Sequence, residues 1–224
     1  MPLISRLDMG KKKAVKSSKA RAPARRNAVV DAANAVSDVM ADFAAFARFN
    51  RNGIDAEIVN KHAEALSNEL RDAIVNVFEA NMKQMYESSD WGYDPVAKRE
   101  ELFDSEARYL LVLAADDSAE LLGFVHFRNV EDDGAEVLYV YEIQIAATAQ
   151  RKGVGKFLMQ LLLLVARKQA MQLVVLTVFK SNVAAMDFYR KKLGFEIDET
   201  SPSANGDDSQ SYEILSKSVQ ARTR

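Results

Sequence analysis

The chain has 224 residues, 48% hydrophobic and 28% charged, enough for one domain with its own core. It has no cysteine, which excludes a disulfide framework, a thiolate metal site and a sulfur nucleophile, and two histidines, His62 and His126, make no histidine cluster. The net charge of −2 is unevenly spread: residues 1–26 hold nine Lys or Arg against Asp8, while the remainder holds 21 bases against 31 acids, a formal −10.

The basic leader has too few large apolar residues to order itself and reads as a disordered tail over 1–26, with a nuclear-localisation or nucleic-acid patch as the alternative. It lacks the apolar run of a signal peptide, and the longest apolar stretches are too short for a bilayer span, so neither secretion nor a membrane is expected. From Ala28 to Phe49, Val29, Val36, Val39, Met40 and Phe43 recur at helical spacings and predict a helix, and residues 27–60 as a whole an N-terminal helical extension. After an extended piece, Ile54 to Val59, the four-residue interval of Leu66, Leu70, Ile74, Phe78 and Met82 predicts a second helix over His62 to Ser88. Antiparallel strands follow at Tyr109–Ala114 and Leu121–Val130, and a third at Glu136–Ile145. The apolar residues from Phe157 to Val165 predict a helix buried against a sheet, and Leu173–Val178 a parallel strand reached by helical crossover. A helix over Val183–Lys192 and strands at Phe195–Ile197 and Tyr212–Leu215 complete an α/β (α+β mixed sheet) domain over 27–217, with a C-terminal tail at 218–224.

Between the third strand and the buried helix lies Gln150-Arg151-Lys152-Gly153-Val154-Gly155. Its glycines permit close approach of backbone to ligand, and the helix start presents unpaired N–H groups to an anion such as a pyrophosphate. A dinucleotide-binding turn is disfavoured, because neither its G-x-G-x-x-G nor its acidic ribose contact is present. Together with Asn182 and Phe188-Tyr189-Arg190-Lys191-Lys192-Leu193-Gly194-Phe195, this segment resembles the acetyl-CoA signature of the GNAT superfamily. Phe49-Asn50-Arg51-Asn52-Gly53, Met85-Tyr86-Glu87 with Trp91-Gly92, Leu138-Tyr139 with Tyr141-Glu142, Leu176 to Lys180 and Ser211 to Leu215 are similar to the NatD type of histone N-α-acetyltransferase, over roughly 27–216. The resemblance implies an acyl-CoA N-acyltransferase fold whose third and following strands splay around the pantetheine arm, and acetyl-CoA as co-substrate without a metal. It also implies acetyl transfer to the N-terminal serine of tails beginning Ser-Gly-Arg-Gly, those of histone H4 and the A form of histone H2. The cofactor-facing set it marks is Ile143, Gln144, Ile145, Gln150, Arg151, Lys152, Gly153, Val154, Gly155, Lys156 and Asn182. A monomer in nucleus and cytoplasm is expected, with ribosome or nucleic-acid contact open to the basic leader.

An N-terminal amine, whose pKa is ordinarily about 8, must lose a proton before attacking a thioester, so a carboxylate, acting directly or through water, is the expected base. Glu142 is the candidate, set in an apolar and aromatic strand where a carboxylate is costly without partners or a cleft. Strict alternation places it opposite Tyr139 and Tyr141; a β-bulge would bring all three to one cleft. The resemblance marks Tyr86, Trp91, Tyr139, Tyr141 and Tyr212 as peptide-facing. It gives Tyr189 either protonation of the leaving thiolate or packing beside the cofactor. The acidic strip Glu131, Asp132 and Asp133 is the candidate contact for the substrate arginine, while His62 reads as a helix-surface residue and His126 as a strand residue. Two other functions compete: a GNAT enzyme acting on a lysine side chain or a small amine, and a non-catalytic nucleic-acid or ribosome-binding protein.

Overall fold

The structure, a computed structural model, describes residues 27–219; the basic leader and the last residues of the C-terminal tail lie outside them. Helix α1, Ala28–Asn34, begins where the Asn27 side chain accepts hydrogen bonds from the N–H groups of Val29 and Val30. The predicted long helix ends there. A 3₁₀ segment, Ala41–Phe46, kinks at Phe43, and Arg48–Arg51 forms strand β1. The reason lies in Asn52-Gly53, whose φ values of 54° and 73° close a two-residue hairpin with β2, Ile54–His62. That turn chemistry overrides the helical periodicity before it. His62 therefore ends a strand rather than lying on a helix surface. Helix α2, Asn68–Glu87, starts at Ser67, whose Oγ accepts from Leu70 N–H, and buries Ile74, Phe78 and Tyr86.

Helix α3, Pro95–Leu102, has no counterpart among the predicted elements. Asp94 Oδ1 accepts from Val96 and Ala97 N–H, and Pro95 lends its fixed φ to the first turn. Strands β3, Arg108–Ala114, β4, Leu121–Asp132, and β5, Ala135–Ile145, form an antiparallel meander. Helix α4, Val154–Lys168, then crosses to β6, Leu173–Phe179. Helix α5, Val183–Asp187, runs into a π-helical turn, Phe188–Lys192, followed by β7, Glu196–Ile197, and β8, Tyr212–Ser218.

The strands make one sheet in the order β1-β2-β3-β4-β5-β6-β8-β7, in which only β5 and β6 are parallel. The apolar stripe of α4 (Leu158, Leu161, Leu162, Val165) packs with α1 on one face. Ile74, Phe78 and Leu102 from α2 and α3 cover the other. A fully buried leucine contributes about 2 kcal/mol by area, so these two layers hold the sheet between them.

Two irregularities create the site. Parallel pairing of β5 with β6 runs from Val137↔Leu173 to Val140↔Leu176 and stops, although β5 continues to Ile145 and β6 to Phe179. The unpaired ends splay apart. Against β4, His126 faces Glu142 and Phe127 faces Val140, so Tyr141 is an extra residue in β5. Before this bulge the odd residues Val137 and Tyr139 lie on the α2–α3 face and Leu138 and Val140 on the α4 face. After it Ile143 and Ile145 lie on the α4 face, so the parity is reversed.

Candidate active site

The parity switch brings Tyr139, Tyr141 and Glu142 to one cleft between β5, β6, α2, α3 and α5. The open space is about 940 Å³, lined also by Tyr86, Trp91, Lys98, Thr177, Asn182 and Tyr189. Glu142 is only 6% exposed. Its Oε1 accepts from Lys98 Nζ at 3.0 Å and its Oε2 from Gln144 Nε2 at 2.8 Å. Lys98, 2% exposed, also donates to Glu101 Oε1 at 2.5 Å and to Tyr86 Oη at 3.1 Å, with its ammonium over the rings of Phe78 and Tyr86.

One ammonium thus serves two carboxylates, and the cluster keeps a net negative charge when all three are ionised. Burial pushes the Glu142 carboxyl above the usual carboxylate range; Lys98 opposes this and Glu101 adds to it. Burial works against the Lys98 cation, but Tyr86, Glu142 and Glu101 outweigh it and hold the lysine charged. A buried carboxylate of raised basicity facing a cleft has the character of a general base.

The aromatic wall is ordered by its own contacts. Tyr139 Oη and Thr177 Oγ1 are 2.6 Å apart across the splayed strands. Tyr141 stacks on His126, with the Arg128 guanidinium 4.5 Å from its ring centre, and burial pushes its phenol up to about 12. Trp91 packs edge-on against Tyr86, Phe179 and Tyr212. Tyr212 is buried behind Trp91 and is not among the cleft-lining residues. Asp90 accepts from Ser211 Oγ, fastening the α2–α3 loop to the start of β8 beside this wall. Tyr189 is buried in the π-helical turn; burial, with Glu142 adding to it, raises its phenol.

His126 is fully buried in β4 and accepts from Arg128 Nε; burial lowers its pKa well below the usual value and keeps it neutral. Glu131 accepts from Asn27 Nδ2, Asp132 is buried, and neither they nor Asp133 line the cleft. Lys98 and Glu101 were not legible as site residues. A lysine three residues before a glutamate ordinarily reads as an exposed helix pair, and the Asp94-Pro95 helix start was the one signal that a helix stood there.

Beyond β5 the chain makes a 3₁₀ turn, Ala147–Ala149, and then a loop in which Arg151 and Gly153 have φ of 59° and 94°. Gln150 Nε2 donates to Ile145 O and to Asn81 Oδ1, and Asn81 Nδ2 donates to Gln144 Oε1 and Ile145 O. The Gln144 side chain is therefore turned to Glu142 and α2, leaving the strand backbone of Ile143 and Ile145 at the gap. Val154 is buried in the core, Lys156 is exposed, and a Cβ on Gly155 would stand 3.7 Å from the Phe188 ring. Asn182 caps α5 through Oδ1, which accepts from Ala185 N–H. Among the described residues the N–H groups of Arg151, Lys152 and Gly153 donate to no backbone carbonyl. A loop of unpaired N–H groups at the start of α4, next to the gap between β5 and β6, suits a long ligand with a pyrophosphate at one end and a thin arm.

Residues 72–195 match the family model described as the acetyltransferase (GNAT) family. The chain belongs to this family. It is an acetyltransferase that uses acetyl-CoA as co-substrate. An L-methionine sulfoximine/L-methionine sulfone acetyltransferase of Pseudomonas paraeruginosa is 30% identical over 117 residues, covering 50% of this chain and 67% of the relative. Tetrahymena GCN5 superposes with a TM-score of 0.55 at 16% identity, covering 73% of this chain and 96% of its own. The PaiA N-acetyltransferase of Thermoplasma acidophilum, in complex with coenzyme A, gives 0.51 at 17%, covering 72% and 99%. At such identities these two structures establish the shared fold.

Proposed function

We propose that this acetyltransferase modifies the N-terminal amine of proteins beginning Ser-Gly-Arg-Gly, namely histone H4 and the A form of histone H2. The observation that carries the reading is Glu142, buried on the cleft face beside Lys98 and Glu101 and enclosed by Tyr86, Trp91, Tyr139 and Tyr141. Its net negative cluster suits one incoming ammonium, and the aromatic walls suit a small first residue whose backbone polar groups meet hydroxyl tips. The similarity of these residues to the NatD type supports the histone tail as acceptor.

Bound acetyl-CoA supplies the acetyl group as a thioester. Glu142, directly or through one water, takes a proton from the substrate ammonium and frees the lone pair that attacks the carbonyl carbon. Lys98 holds the carboxylate in place through Oε1 while Gln144 holds Oε2. As the carbon–sulfur bond breaks, Tyr189, which lines the same cleft, gives its proton to the departing sulfur, and the proton still in excess on the acetylated nitrogen passes to the Tyr189 phenolate and restores it. Nucleus and cytoplasm, a monomeric enzyme, and ribosome or nucleic-acid contact through the basic leader belong to the same proposal.

A small-molecule acceptor is the second reading, favoured by the 30% identity to the methionine sulfoximine and methionine sulfone acetyltransferase. Steady-state rates on a Ser-Gly-Arg-Gly-Lys peptide, the same peptide with a blocked N-terminus, and free methionine sulfone separate the two. The proposal expects kcat/KM to be highest for the free peptide and turnover to vanish on blocking. Preference for methionine sulfone would overturn it.

A further inference from the structure

The N-terminal hairpin meets the cofactor loop through Asn52. Its Nδ2 donates to Lys152 O at 2.7 Å, joining residues 100 positions apart in sequence. The contact has further support. A Cβ on Gly153 would stand 3.5 Å from Asn52 Nδ2 and 3.9 Å from the Phe49 ring. Phe49 of β1 packs edge-on to Phe157 in the first turn of α4, at 5.3 Å between centroids, and the Arg51 guanidinium lies over both rings. Asn52 stands in the left-handed region, where an asparagine is tolerated at little cost, so the hairpin turn itself aims the side-chain amide.

In a trans peptide the C=O of one residue and the N–H of the next point in opposite directions. Fixing Lys152 O toward Asn52 therefore directs the Gly153 N–H away from the hairpin. Gly153 has φ of 94°, a conformation that an L side chain resists, and immediately precedes α4.

We infer that Asn52 is a positioning residue for acetyl-CoA: by holding Lys152 O it presets the Gly153 N–H as a donor to the pyrophosphate. Asn52 thus completes the cofactor site from outside the family-matched segment, residues 72–195.

Asn52→Gly is the direct test, because glycine keeps the turn's positive φ and removes only the amide. Asn52→Asp keeps the shape and replaces the donor with an acceptor facing a carbonyl. Calorimetry with acetyl-CoA should show Kd raised about 2- to 10-fold in both, the range spanned by one neutral hydrogen bond. The melting temperature without ligand should stay near wild type, while the rise produced by a fixed acetyl-CoA concentration shrinks. Arg48→Ala, which breaks the exposed Arg48–Asp55 pair on the same hairpin, should leave Kd unchanged. In the unaltered protein labelled with ¹⁵N-glycine, the Gly153 amide proton should move downfield on binding. An unchanged Kd in folded Asn52→Gly, or a Gly153 amide indifferent to acetyl-CoA, would overturn the inference. So would a loss of ligand-free stability with affinity intact, which marks a brace and nothing more.

Discussion

At the scale of single residues the site depends on one lysine shared by two acids. Glu142→Gln keeps shape and hydrogen bonding but loses the proton acceptor, so kcat should fall about 10²- to 10⁴-fold with acetyl-CoA affinity retained; stopped assays and calorimetry check both. Lys98→Met has a different signature. Without its counter-ion the Glu142 carboxyl, already raised by burial, rises further. A base must be ionised to act and is lost as pH falls through its pKa, so the acidic limb of kcat/KM should move to higher pH. Tyr86, Glu101, Tyr109 and Tyr189 also interact with this carboxyl, yet among them and Lys98 only the lysine bears a positive charge at neutral pH. Leaving buried Glu142 and partly buried Glu101 without their cation should also cost about 3–5 kcal/mol in chemical denaturation. An unmoved limb would take Lys98 out of the base's environment. Glu142 was legible from its odd place in an aromatic strand, whereas Lys98 was not, because its burial arises from tertiary packing of a short helix.

At the scale of elements, periodicity was sufficient for α2, α4 and the central strands, but over Ala28 to Phe49 it pointed to one helix where the chain makes α1, a 3₁₀ segment and β1. Helix α4 and strands β3 to β6 declare themselves by apolar pattern, but α3 is eight residues long and β1 only four, too short for periodicity to decide. In both cases the decisive information was local chemistry: Asp94-Pro95 for the helix, Asn52-Gly53 for the hairpin. The bulge at Tyr141 is of a third kind. It is a register shift against β4 that composition cannot announce, and it decides which face Glu142 occupies. The end of β5 is equally sensitive. Gly123 faces Ile145 across the ladder, and a Cβ there would lie 2.8 Å from both Gln144 O and the Ile145 side chain. Gly123→Ala should therefore displace the strand end that Asn81 and Gln150 hold through Ile145 O, costing about 1–3 kcal/mol of stability and raising KM for acetyl-CoA. Thermal melts beside acetyl-CoA titrations read both effects.

At the scale of the whole molecule, charge and architecture divide the work. The body from residue 27 onward carries a formal −10, and under the proposed function a field of that sign gathers a basic tail before the aromatic cleft selects its first residue. Exposed attraction is screened over about 8 Å at physiological salt. Added salt should thus raise KM for a Ser-Gly-Arg-Gly peptide more than for its Ser-Gly-Ala-Gly counterpart, with kcat little changed in either; salt titrations of both give the comparison. The sheet, the loop before α4 and the gap between β5 and β6 explain acetyl-CoA use, while the choice of acceptor rests on the cleft. The most direct measurement is tandem mass spectrometry of a Ser-Gly-Arg-Gly-Lys peptide, both amines free, after incubation with acetyl-CoA and either the native enzyme or Glu142→Gln. A single acetyl group on the N-terminal amine, formed by the native enzyme and strongly diminished in the variant, is the predicted result. Acetylation confined to the lysine, or equal N-terminal acetylation by both proteins, would contradict it.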